Sequence, residues 1–73
     1  MENIDITSAS RKSGKRFLGV KSFKKVVYID IREMYEKDGE FLPGKKGITL
    51  KLDELKNIVK KLEEIEEEYN RLS

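Results

Sequence analysis

Residues 23–50 read FKKVVYIDIREMYEKDGEFLPGKKGITL, and the alternation in the first third of that stretch decides the fold. Val27, Ile29 and Ile31 fall on one side of an extended chain, and Val26, Tyr28, Asp30 and Arg32 fall on the other. One apolar face and one polar, aromatic face suit a strand of an antiparallel sheet covered on a single side. Glu36-Lys37-Asp38-Gly39-Glu40 then carries turn chemistry, with Asp-Gly supplying the positive φ of a tight hairpin. The strand that follows is interrupted by Pro43-Gly44 and Gly47, which predict a bulge or a strong bend, so the sheet is expected to curve there.

Upstream, Leu18 and Val20 point one way while Phe17, Gly19, Lys21 and Phe23 point the other, giving an earlier strand joined to the first through Lys24-Lys25. Leu18 and Val20 mark its core face. Residues 1–14 alternate Ile4 and Ile6 with Asp5 and Thr7 and then turn small and polar, which predicts either an edge strand or a flexible segment. Downstream of residue 50 the apolar period lengthens. Leu55, Ile58, Leu62, Ile65, Tyr69 and Leu72 recur at alternating steps of three and four, with Val59 widening the stripe, so one amphipathic helix is predicted over about residues 52–72. The class is α+β, with one domain over residues 15–73. Its stripe, Leu55 to Tyr69, has two readings: packing on its own sheet, or packing also on a twin helix in a homodimer. The heptad spacing and the short chain favour the dimer.

Composition excludes much. A monomer near 73 residues buries only about 60% of the surface that its unfolded chain exposes, and with no cysteine neither a disulfide framework nor a thiolate metal site supports a small core. With no histidine either, the commonest general base and the usual zinc ligands are missing, so an enzyme is not expected. Gly39 to Lys45 has the spacing of a phosphate-binding loop, but Lys46 stands where magnesium coordination needs Ser or Thr, and the flanking strand and helix are missing. The match is fortuitous, and no metal or cofactor is expected. No apolar run approaches the roughly 20 residues of a membrane span, and Met1 to Asp5 lacks the basic and apolar regions of a signal peptide, so an intracellular protein, cytoplasmic, nucleoid or nuclear, is expected.

Charge is segregated along the chain. Residues 1–50 carry eleven Lys and Arg against seven Asp and Glu, whereas residues 51–73 carry five against seven. Arg11 to Lys25 holds seven cations and no acid, the electrostatic footprint of a polyanion partner. Aromatics interleave with these cations. Phe17 and Phe23 share a face with Lys21, and Tyr28 shares one with Arg32. Unpaired bases stack on aromatic rings, and Tyr35 offers another such surface. The constellation points to single-stranded nucleic acid, DNA or RNA. A second reading, a protein-interaction module with an incidental basic face, belongs to another class.

Phe23-Lys24, Ile29-Asp30-Ile31-Arg32-Glu33, Gly39-Glu40, Pro43 to Leu50 and the closing helix resemble the C-terminal domain of the positive cofactor four transcriptional coactivators, over about Lys15 to Leu72. The family includes bacterial and phage relatives. The resemblance implies a curved four-stranded antiparallel sheet followed by a helix, dimerisation through the helices, and a basic, aromatic channel for single-stranded DNA used in transcription, replication or repair. By matching position it puts contacts on Arg16, Phe23, Lys24, Arg32, Lys45 and Lys46. Tyr35 stands where the family has tryptophan, and Val26 where it often has lysine. Arg32, Lys45 and Lys46 are expected to line one channel with Phe23 and Tyr35. The serine-rich acidic tail of eukaryotic members has no counterpart in these residues, so a tail-less member is expected.

Overall fold

The structure, a computed structural model, describes residues 3–73, in which strands β1 (Ile4–Asp5), β2 (Lys15–Phe23), β3 (Val26–Lys37) and β4 (Glu40–Leu50) precede helices α1 (Leu52–Lys60) and α2 (Leu62–Leu72). The strands form one antiparallel sheet in the order β1-β2-β3-β4.

Both long hairpins close through two residues with positive φ, the turn whose twist matches that of the strands it joins. Asp38 (φ 52°) and Gly39 (φ 80°) connect β3 to β4, with Lys37 opposite Glu40. Lys24 (φ 49°) and Lys25 (φ 67°) connect β2 to β3, with Phe23 opposite Val26. A left-handed conformation costs most side-chain-bearing residues roughly 1–2 kcal/mol, whereas Gly adopts it freely and Asp tolerates it, so the second turn is more strained than the first.

The bend lies where proline and glycine predicted it. Arg32 pairs with Gly47 and Met34 with Pro43, so a short step along β3 spans a longer one on β4, and Gly44, Lys45 and Lys46 bulge opposite Glu33. At Gly44 a Cβ would sit 2.8 Å from the Glu33 carbonyl oxygen, an approach open only to glycine.

The single helix expected over residues 52–72 is instead two segments meeting at Lys61. There φ is −96° and ψ is 7°, and the Lys61 N–H is shared between the carbonyls of Asn57 (3.2 Å) and Ile58 (3.1 Å). The turn tightens without any proline or glycine, a feature that apolar periodicity does not register. The N-terminus of α1 is secured by Lys51 N–H donating to Glu54 Oε1 at 2.9 Å.

Little of this chain is covered. Among the described residues Ile29, 5% exposed, is the buried apolar side chain, and no residue of either helix is buried. The apolar sheet face forms with the expected residues, yet Val27 on it is 63% exposed. The accessible surface is 6617 Å², against about 4,700 Å² for a compact monomer of this mass. The radius of gyration is 14.4 Å, against about 11 Å for a compact chain of this length.

Candidate nucleic-acid interface

Strand pairing sorts the candidate side chains onto two faces. Phe17 lies opposite Arg32, Gly19 opposite Asp30, Lys21 opposite Tyr28 and Phe23 opposite Val26, and alternation puts all of these on one face. Arg16 opposite Glu33, and Tyr35 opposite Leu42, belong to the other.

On the first face Phe17, Lys21 and Arg32 line a pocket with Asp30, Met34 and Pro43. At the β2–β3 tip Phe23 is exposed, and the Lys24 ammonium lies 5.4 Å from its ring centroid. On the second face Arg16 and Lys46 line a pocket with Glu33 and Ile48, which Arg32 and Gly47 also reach. Phe23 and Tyr35 are not brought together within one chain. Val26, the partner of Phe23, and Tyr35 are nine positions apart on β3, about 30 Å at roughly 3.3 Å per residue, and odd spacing puts them on opposite faces.

Several cations are already paired. Arg11 and Arg16 share Glu33 at 3.4 and 3.6 Å, Lys15 meets Asp5 at 3.7 Å, and Lys21 and Arg32 converge on Asp30 at 3.4 and 2.9 Å. Among the described residues Lys24, Lys25, Lys45 and Lys46 stand in no ion pair, so they offer the least encumbered phosphate contacts.

Asp30 is the most buried charged group described, 4% exposed on the face expected to meet solvent. Hydrogen bonds from Arg32 hold its carboxyl below the ordinary value of 3.8, against the upward push of burial, and Lys21 adds to the lowering. The Arg32 guanidinium donates from Nε to Asp30 Oδ2 (3.1 Å) and from Nη2 to Oδ1 (2.9 Å), while Nη1 reaches the carbonyls of Gly44 (3.0 Å) and Lys45 (3.4 Å). Arg32 is thus a structural brace as well as a surface cation.

Sequence reasoning overlooked Phe41. Its ring meets Phe17 edge-on, with centroids 6.5 Å apart and planes at 76°, and the Lys15 ammonium lies 5.3 Å from its centroid. The signal was available: the Asp38-Gly39 turn sets Phe41 opposite Glu36, on the face of Phe17. Among the described residues no cluster of His, Cys, Asp or Glu is arranged to hold a metal ion.

Residues 10–61 match the family described as Transcriptional Coactivator p15 (PC4). The chain belongs to that family. PC4 relatives include the RNA polymerase II transcriptional coactivator KIWI of Arabidopsis thaliana, 43% identical over 84% of this chain and 57% of the relative. The RNA polymerase II transcriptional coactivator of Drosophila melanogaster is 42% identical over 71% of this chain and 47% of its own length. The chain therefore spans about half the length of these curated PC4 relatives. Among solved structures, a MoSub1 complex with single-stranded DNA aligns with a TM-score of 0.69 at 37% identity, covering 97% of this chain and 81% of that one. A MoSub1–DNA complex aligns at 0.68, again at 37% identity, covering 97% and 86%.

Proposed function

We propose that this PC4-family chain is a non-catalytic, largely sequence-independent single-stranded DNA-binding protein that acts as a homodimer inside the cell where duplex is opened. The observation that carries the reading is the alignment of 97% of the chain with a protein crystallised on single-stranded DNA. The surface supports it. Phe23 and Lys24 at the tip, Phe17 and Lys21 along one face, Arg16 and Lys46 on the other, and Lys45 and Arg32 at the bulge supply stacking surfaces and phosphate contacts. Tyr35 supplies a further ring at the far end of β3.

What lies uncovered supports dimerisation through the helices. The surface in excess of a compact monomer is about 2,000 Å², the area each protomer loses in a large obligate homodimer. Ile58, Val59, Leu62, Ile65 and Tyr69 are all exposed on α1 and α2, and Leu55 is only half-buried. In a dimer, stations separated on one chain can be combined with those of the twin.

Titrating labelled single-stranded and duplex oligonucleotides of one sequence at several salt concentrations tests the reading. Preference for the single strand, weakening steeply with salt, is expected. Equal affinity for both forms, or indifference to salt, overturns it. Sedimentation should return twice the chain mass at micromolar concentration.

A further inference from the structure

Asp30 sits inside the run Val26 to Ile31, an acid buried where the described residues bury almost nothing else. A buried carboxylate is costly unless it is paired and hydrogen-bonded. Both its oxygens accept from Arg32, and Lys21 lies 3.4 Å away. The pairing does more than neutralise charge, because the remaining terminal nitrogen of Arg32 carries the contact across to β4. There it donates to the Gly44 and Lys45 carbonyls, two groups that the bulge withdraws from the strand ladder. Gly47 makes this possible: a Cβ on it would lie 2.7 Å from Arg32 Cζ, too close for the guanidinium to keep its place. At least three of the five N–H donors of Arg32 are committed within the chain.

We infer that Asp30 is a positioning residue for single-strand binding: it clamps Arg32, Arg32 holds the Gly44–Lys45 carbonyls, and the clamp sets where Lys45 and Lys46 stand. The inference rests on the single-strand reading above. Among the described residues Lys45 and Lys46 stand in no ion pair that would orient them, so the backbone beneath them decides where their charges point.

Charge alone argues the opposite sign. Asp30→Asn removes an acid near the phosphate path and raises the net charge by one, which tightens the binding of any polyanion if charge is all that counts. A positioning role predicts loss instead.

The test uses the full chain and a fluorescent oligothymidylate, with heparin as a polyanion that offers no base to stack. Asp30→Asn is expected to weaken oligonucleotide affinity by roughly tenfold, the scale of one charge-assisted hydrogen bond, and to leave heparin affinity undiminished. Gly47→Ala, which displaces the guanidinium while keeping Asp30, is expected to weaken the oligonucleotide to a similar extent. Strand content by circular dichroism and mass by sedimentation should stay those of the wild type. Oligonucleotide affinity in Asp30→Asn equal to or above wild type overturns the inference. If Asp30→Asn does not fold, Gly47→Ala decides, and unchanged affinity there overturns it as well. A wild-type chain that ignores the oligonucleotide removes the single-strand reading itself. The clamp is then judged on amide resonances: movement of Gly44 to Gly47 in Asp30→Asn supports it, and fixed resonances overturn it.

Discussion

Arg32 lies over Asp30, two positions back on the same face of β3, and the two side chains share a pair of hydrogen bonds at 2.9 and 3.1 Å. A planar guanidinium makes this bidentate contact and still has a nitrogen left for the Gly44 carbonyl, whereas an ammonium on a flexible stem serves one such site at a time. Arg32→Lys is therefore expected to keep the charge but cost about 1–3 kcal/mol of stability, the range for hydrogen bonds to charged groups left unmade. Chemical denaturation checks it, and a shift in midpoint too small to resolve would show that the brace carries no weight.

The same pair sets an acid limit. The Asp30 carboxyl is held below its ordinary value chiefly by Arg32, and that of Asp5 is held low by hydrogen bonds from Thr7. A folded-state value below the unfolded one contributes stability that is present above the unfolded value and lost as pH falls through the folded one. Unfolding on acidification is expected to set in below the ordinary carboxyl value of 3.8. In Asp30→Asn that acid-dependent loss should be smaller, as followed by circular dichroism across a pH series.

Phe23 is 64% exposed at the hairpin tip, with Lys24 over its ring. Phe23→Ala should weaken single-strand affinity by roughly 1–3 kcal/mol, the increment for a base stacked on a ring, with thermal stability nearly unchanged. An unfolded variant would make Phe23 a packing residue instead.

Strain and binding meet at the same tip. Lys24 and Lys25 both take positive φ, whereas Asn-Gly occupies such a turn without strain. Replacing the pair, Lys24→Asn with Lys25→Gly, is expected to stabilise the fold by at least about 1 kcal/mol and to weaken oligonucleotide binding through two lost cations. Midpoints of denaturation and affinities measured on one preparation separate the two effects.

At the β2–β3 tip and the β4 bulge, where the candidate phosphate contacts lie, Lys24, Lys25, Lys45 and Lys46 stand in no ion pair among the described residues, so they should dominate counterion release. At about −0.7 per phosphate neutralised, the log-log salt slope is expected near −3 per chain. Removing the charges of Lys45 and Lys46 together should roughly halve it. A slope that does not respond would move the phosphate path away from the bulge.

The three long strands, the Asp38-Gly39 turn and the bend at Pro43 to Gly47 were legible because each depends on local chemistry: a period of two, Asp-Gly at a turn, proline and glycine where a ladder breaks. The helical stripe was legible for the same reason. Its interruption at Lys61 was not, since the tightened turn there breaks no apolar period and involves no breaker residue. Phe41 went unnoticed because its neighbours, Phe17 and Lys15, are more than twenty positions away and meet it only across the sheet.

Asp30 marks the boundary between the two kinds of information. Alternation assigns it correctly to the polar face of β3, and a polar face ordinarily meets water. That it is buried there, with Arg32 and Lys21 closing over it and the β4 bulge held from the same guanidinium, depends on side chains of three strands meeting over one another, which alternation along a single strand does not encode. Local propensity acts through neighbours in the chain. Burial and ion pairing are properties of distant segments meeting in space, and they exist only once the sheet has formed.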